Sequence, residues 1–172
     1  MYCPTNTRPD VAYSVGMLCR VMNKPSPAAL EAALVVLRYL YSTRHLGLRF
    51  QASARPLYGM SDSDWATKHS VSGYVFMLSR AAVSWGSKKQ TTCALSSCEA
   101  EIVAASEASK EAIHIHALAK EIGSLVPDGP VELHMDSQSG IRVAYNPEHH
   151  GRMKHVERRH FFVRECVEHH KI

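Results

Sequence analysis

The sequence predicts an α/β fold, a mixed sheet flanked by helices and preceded by a two-helix appendage. Three observations carry this. Segments near 57–62, 73–79 and 82–88 read as strands, and the last two are rich in aromatic and β-branched residues and joined by a tight turn as a hairpin. A single long helical pattern follows, then a strand over 131–136 and shorter helices. Strands, a crossover helix, one more strand and another helix describe a mixed sheet, and the segment before the long helix is joined to the strand after it as a parallel pair requires. Residues 1 to about 45, by contrast, hold only helical periodicity and no core of their own, so they are expected to pack on something else.

Taken in order, Asp10 is placed to cap a first helix with the apolar positions Val11, Val15, Leu18 and Met22, ended by Asn23-Lys24-Pro25. Ser26-Pro27 opens a second helix, serine at the cap and proline at the first helical position, with the stripe Leu30, Ala33, Leu34, Leu37 and Leu40. Ser96 with Glu99 three residues on is a capping-box pattern for the long helix, which is expected to reach about Leu125 and to be ended by Gly123 and Pro127. Ser137 caps a short helix that stops at Asn146-Pro147, and 156–168 reads as a last helix.

Composition sets the bounds. The chain has 172 residues, 45% of them hydrophobic, enough for a real core. A formal charge of +4 permits a polyanionic partner without demanding one. The five cysteines form no CxxC pair and are odd in number, which reads as free thiols in a reducing compartment. The first residues lack a signal-peptide pattern, and the most apolar run carries Glu31 and Arg38 and is too short to span a bilayer. A soluble, intracellular protein with no membrane partner is expected.

Three acids occupy the ends of elements that can converge: Asp62 in the first strand, Glu101 in the first turns of the long helix and Asp136 at the end of the later strand. Three carboxylates at one sheet edge repel one another unless a divalent cation neutralises them, and hard oxygen ligands suit Mg²⁺ or Mn²⁺. That is the logic of metal-assisted phosphoryl transfer. Each acid alone has a plainer role. Asp62 and Asp64 share a strand face and can simply face solvent, and the charge of Asp136 can help to start the next helix. Glu99 sits where a capping glutamate belongs, so Glu101 is the better candidate for chemistry. No HExxH or paired Cys/His spacing supports zinc, and His114 and His116 diverge on a helix, so the eleven histidines read as surface residues. Trp65, Trp85, Phe161 and Phe162 read as core.

The segments TRPDVAYSVG, VLRYLYSTRHLGL, SDSDWA, SVSGYVF, VSWGSKKQTTCALSSCEAEIVAAS, MDSQSGIRVAYNPEHHGRMKH and FFVRE resemble, in order and spacing, the ribonuclease H region of copia-type retrotransposon polyproteins. The resemblance covers nearly the whole chain. It implies a ribonuclease H-like fold over 55–172, preceded over 1–50 by the helices of a reverse transcriptase tail and connection. It implies that Asp62, Glu101 and Asp136 are catalytic, metal-binding carboxylates that hold Mg²⁺ (or Mn²⁺), with Asp64 a neighbour. The implied activity is two-metal hydrolysis of the RNA strand of an RNA–DNA hybrid, an endonuclease reaction, with the reverse transcriptase portion of the same polyprotein as partner and a cytoplasmic retroelement particle as setting. Lys88, Lys89, Arg152, Lys154, Arg158 and Arg159 are candidates for phosphate contacts by charge alone. The family carries a fourth carboxylate after one more strand, and this sequence stops at Lys171-Ile172, about where that strand begins. A truncated domain with weak or lost cleavage is therefore expected, and the alternative is a catalytically inactive nucleic-acid-binding remnant.

Overall fold

A computed structural model describes residues 2–53, 55–65, 69–123, 129–145 and 157–172. Three antiparallel strands lead the sheet: β1 (Tyr58–Asp64), β2 (Val71–Leu78) and β3 (Ala81–Lys89). The β2–β3 turn consists of Ser79 and Arg80, both left-handed at φ 53° and 67°. That is the twist a two-residue hairpin needs, here reached without the Asn-Gly signal that usually announces it. The fourth strand, β4 (Glu132–His134), is shorter than the expected 131–136. The order is β3-β2-β1-β4, a mixed four-stranded sheet in which β4 runs parallel to β1.

This corrects one expectation. The strand that follows the long helix does not pair with the strand before it. It passes beyond β2 and pairs with the free edge of β1. The helix is long enough to make that crossing: α4 (Ser97–Glu121) has 25 residues, about 37 Å at the usual rise. It starts at Ser96, whose Oγ accepts the Glu99 N–H at 3.2 Å, and stops at Glu121 rather than near 125. Gly123, at φ +71°, supplies the left-handed residue that closes it, while Pro127 lies outside the described residues.

The core lies between α4 and the sheet. Phe76, fully buried, packs with Leu57, Ala108, Ala112 and Val131. α4 can approach closely because its buried face is mostly alanine and serine. Within the sheet, Gly59 makes room for the Phe76 ring on the neighbouring strand, with which a Cβ there would collide. Two further helices, α5 (Gln138–Tyr145) and α6 (Glu157–Glu168), pack against α4 through Val143, Ala144 and Val163. Ser137 caps α5 through the Gly140 N–H, as its position predicts.

The N-terminal part is less regular than two helices. It comprises α1 (Tyr2–Asn6), a 3-10 turn over Pro9–Val11, α2 (Ala12–Cys19) and α3 (Pro27–Ser42). Asp10 caps nothing. Its carboxylate is drawn off by Arg8, at 2.7 and 2.9 Å, and by the Tyr39 hydroxyl at 2.8 Å, which together hold it below the usual carboxylate range. Arg8 also donates to the Thr43 carbonyl and hydroxyl, so the buried guanidinium ties the start of the chain to the end of α3. Ser26 caps α3 as predicted, accepting the Ala29 N–H. The segment packs on the sheet through the Trp85 indole, which donates to the Pro4 carbonyl at 2.6 Å. α3 itself buries no residue. Among the described residues no helix is long and apolar enough to cross a membrane, and none of the five cysteines forms a disulfide.

Candidate metal centre

The pairing of β1 with β4 ends at Met60 opposite His134. Asp62 and Asp136 each lie two residues further on, at the carboxyl ends of neighbouring parallel strands, where the sheet parts. β1 is also where the topology changes direction, the chain running to β2 and β3 on one side and returning to β4 on the other. Open α/β sheets bind ligands at such a point. Glu101 reaches the same place from the first turns of α4, positioned by the Ser96 cap. One oxygen from each of Asp62, Glu101 and Asp136 lies within 4.8 Å of the other two.

The three are not equivalent. Asp62 and Asp136 are exposed, whereas Glu101 is only 6% exposed. Ser63 donates its hydroxyl to Glu101 Oε1 at 2.7 Å and its backbone N–H to Asp62 Oδ1 at 2.8 Å. Glu101 Oε2 is buried and has no hydrogen-bond partner among the described residues. Burial does most to raise the Glu101 pKa; the Ser63 hydroxyl opposes the rise, and the charges of Asp62 and Asp136 add to it. A divalent cation suits this arrangement. The donors are hard oxygens, they repel one another, and an orphaned buried carboxylate oxygen costs free energy until something positive meets it.

The neighbouring acids separate cleanly from this group. Glu99, deeper still at 1% exposure, takes the Leu95 N–H on Oε2 at 2.6 Å and so serves the helix start. This is the capping role its position predicts, reaching one residue beyond the cap. Asp64 accepts from the Tyr13 hydroxyl at 3.3 Å and belongs to the contact between the N-terminal segment and β1. Beneath that segment a groove of about 470 Å³ runs over Val75, Trp85 and Gly73 to Asp62 and Asp64.

Of the basic residues singled out by charge, Lys88 and Lys89 at the end of β3 and Arg159 on α6 line one small pocket with Gln90 and Thr91. Arg158 is exposed on α6 and is not part of it, and Arg152 and Lys154 lie outside the described residues. Some expectations are corrected. Trp65 is 52% and Phe161 44% exposed, because neither faces the α4–sheet interface. His160 is buried, 2.9 Å from the Val143 carbonyl, since α6 turns it toward α5. Ser63 was not foreseen as a site residue; its only sequence signal is its place between Asp62 and Asp64.

No family model matches the chain. Individual relatives do. The retrovirus-related Pol polyprotein from transposon TNT 1-94 of Nicotiana tabacum is 38% identical over 172 residues, 98% of this chain and 13% of that protein. The Pol polyprotein from transposon RE1 of Arabidopsis thaliana is 34% identical over 94% of this chain and 11% of its own length. The secreted RxLR effector protein 161 of Plasmopara viticola is 48% identical over 118 residues, 66% of this chain and 83% of that protein. This chain therefore spans only a small part of the polyproteins it matches. Its similarity to retrovirus-related Pol polyproteins from transposons supports a retroelement-derived sequence, a fragment of such a polyprotein.

Proposed function

We propose that residues 55–172 form a ribonuclease H-like domain that hydrolyses the RNA strand of an RNA–DNA hybrid, with Asp62, Glu101 and Asp136 as its metal-binding catalytic carboxylates. The observation that carries this reading is the convergence of the three acids where β1 and β4 part, with Glu101 Oε2 buried and without a partner among the described residues. Relatives drawn from transposon Pol polyproteins make a nucleic-acid substrate the natural one for such a site.

Bound Mg²⁺ (or Mn²⁺) would supply an activated water and neutralise charge on the leaving 3′ oxygen. The chain's own part is placement. Asp62 and Asp136 present exposed oxygens on adjoining strand ends, and Glu101 presents one from the helix above them. Lys88, Lys89 and Arg159 form a basic cluster suited to backbone phosphates, which would make binding salt-dependent. Selectivity for RNA requires contacts to 2′-hydroxyls. Residues 1–50 are read as the end of a reverse transcriptase, and the bare apolar side of α3 is proposed to meet the polymerase portion of the same polyprotein.

The direct test incubates the 172-residue protein with a hybrid labelled on the RNA strand, in Mg²⁺, in Mn²⁺ and in EDTA. Metal-dependent cleavage that Asp136→Asn abolishes supports the reading. Salt-sensitive hybrid binding without cleavage would favour an inactive nucleic-acid-binding remnant instead, and neither binding nor cleavage would sink both.

A further inference from the structure

We infer that Ser63 is a positioning residue of the metal centre, a role that rests on the metal reading above. It sits between two of the three carboxylates and bonds to both. The backbone N–H donates to Asp62 Oδ1 at 2.8 Å and the hydroxyl donates to Glu101 Oε1 at 2.7 Å. Each bond engages one oxygen of a carboxylate and leaves the other, Asp62 Oδ2 or Glu101 Oε2, for a cation. For Glu101 the division is plain, because Oε2 is buried with no partner among the described residues while Oε1 is satisfied.

The arrangement follows from the strand. On β1 successive side chains alternate between faces, so a residue next to Asp62 points at α4 while its own N–H stays within reach of the Asp62 side chain. Ser63 is short enough to reach Glu101 without filling the space a cation needs. A hydroxyl adds no charge, so it orients Glu101 without competing for the ion as a lysine would. Outer partners of metal-binding carboxylates commonly fix the ligand's direction, and their loss lowers metal affinity. The same bond also gives buried Glu101 a partner in the metal-free protein, where a carboxylate without one is costly.

A matched pair separates the hydroxyl from the shape of the side chain. Ser63→Thr keeps the hydroxyl, Ser63→Val has the same outline without it, and both are β-branched residues that suit a strand. Mn²⁺ alone is titrated into the full 172-residue wild type, into these two variants and into Glu101→Gln, with free Mn²⁺ read by electron paramagnetic resonance. Circular dichroism checks the fold of each. Ser63→Thr is expected to bind within a few-fold of wild type, and Ser63→Val about ten-fold or more weakly. Equal affinity of the Thr and Val variants, whether both strong or both weak, would overturn the positioning role. If those two are equal while Glu101→Gln is impaired, only the role of Ser63 falls. If Glu101→Gln binds Mn²⁺ as wild type does, the metal reading falls and takes the inference with it. A Val variant that fails to fold beside a folded Thr variant would show that the hydroxyl serves packing rather than the ion, and would also overturn it.

Discussion

Helices α3 and α4 are both rich in apolar residues, yet twelve of the 25 residues of α4 are buried and none of the 16 in α3 is. The difference lies in side-chain size and in what each helix faces. α4 presents Ala100, Ala104, Ala105, Ala108 and Ala112, all at 0% exposure, so its backbone can lie close on the sheet. α3 presents two adjacent stripes, and the outer one is made of larger residues. Ala29, Ala33, Val36 and Leu40 are partly covered, whereas Leu30, Leu34, Leu37 and Tyr41 stand 44–73% exposed. Apolar content therefore says that a helix wants a partner, and only the packing says whether it has one. α4 has found its partner within the chain, and the same packing delivers Glu101 to Asp62 and Asp136.

The comparison is most easily broken by stability measurements. Phe76→Ala removes the fully buried ring between sheet and α4 and is expected to cost about 3–5 kcal/mol, read by chemical denaturation. Leu37→Ala on α3, 59% exposed, is expected to change stability by no more than about 0.5 kcal/mol. Comparable losses at the two positions would show that α3 is as integral to the fold as α4. In activity the largest effect is expected at the strand end. Asp136→Asn should lower hybrid cleavage about a hundredfold or more, because several kcal/mol of transition-state stabilisation are lost with a metal ligand. Leu34→Lys should leave cleavage unchanged, and an equal loss there would tie α3 to the chemistry.

The two glutamates of α4 sharpen the contrast within one helix. The Glu101 pKa is raised above its ordinary 4.5, so the folded protein binds that proton more tightly than the unfolded chain does. Between the ordinary and the raised value the native state carries more of this proton, and stability falls as pH rises through that window. Above it the penalty is constant. Metal-free wild type is therefore expected to lose stability relative to Glu101→Gln from about pH 4.5 upward, with Mg²⁺ closing the gap. A parallel pair of stability–pH curves would contradict the assigned environment. Glu99→Gln, which keeps an oxygen for the Leu95 N–H, should leave Mn²⁺ affinity nearly unchanged. The smallest effect belongs to the bare stripe: Leu34→Lys should alter stability by about 0.5 kcal/mol or less, and should weaken pull-down of the polymerase portion of a related polyprotein. Undiminished capture would remove the proposed partner from that face.

Much of this is legible in the sequence. Aromatic and β-branched content and a tight turn marked the hairpin strands, Ser96, Ser26 and Ser137 marked helix starts, and the order of Asp62, Glu101 and Asp136 along strand, helix and strand suggested their meeting. Those signals are local, because caps, turns and strand periodicity depend on neighbours within a few residues. Other features had no local signal. The Asp10 side chain looked like a cap until Arg8 and Tyr39, the latter 29 residues away, claimed it.

By itself the sequence determined the three leading strands, the long helix and the helix starts at Ser26 and Ser137, their order, the capping glutamate and the three acids that converge. The tertiary structure alone decided that β4 pairs with β1 rather than with β3, which is what parts the sheet beside Asp62 and Asp136. It decided that Ser63 joins two of the carboxylates, and that Glu101 keeps one oxygen buried and unmatched among the described residues. The physical reason is the same in each case. Pairing across an edge, and the burial of one oxygen but not its twin, depend on groups far apart in the chain, as Tyr58 and Glu132 are across the β1–β4 pair and Ser63 and Glu101, 38 residues apart, are at the site, and no local pattern records them.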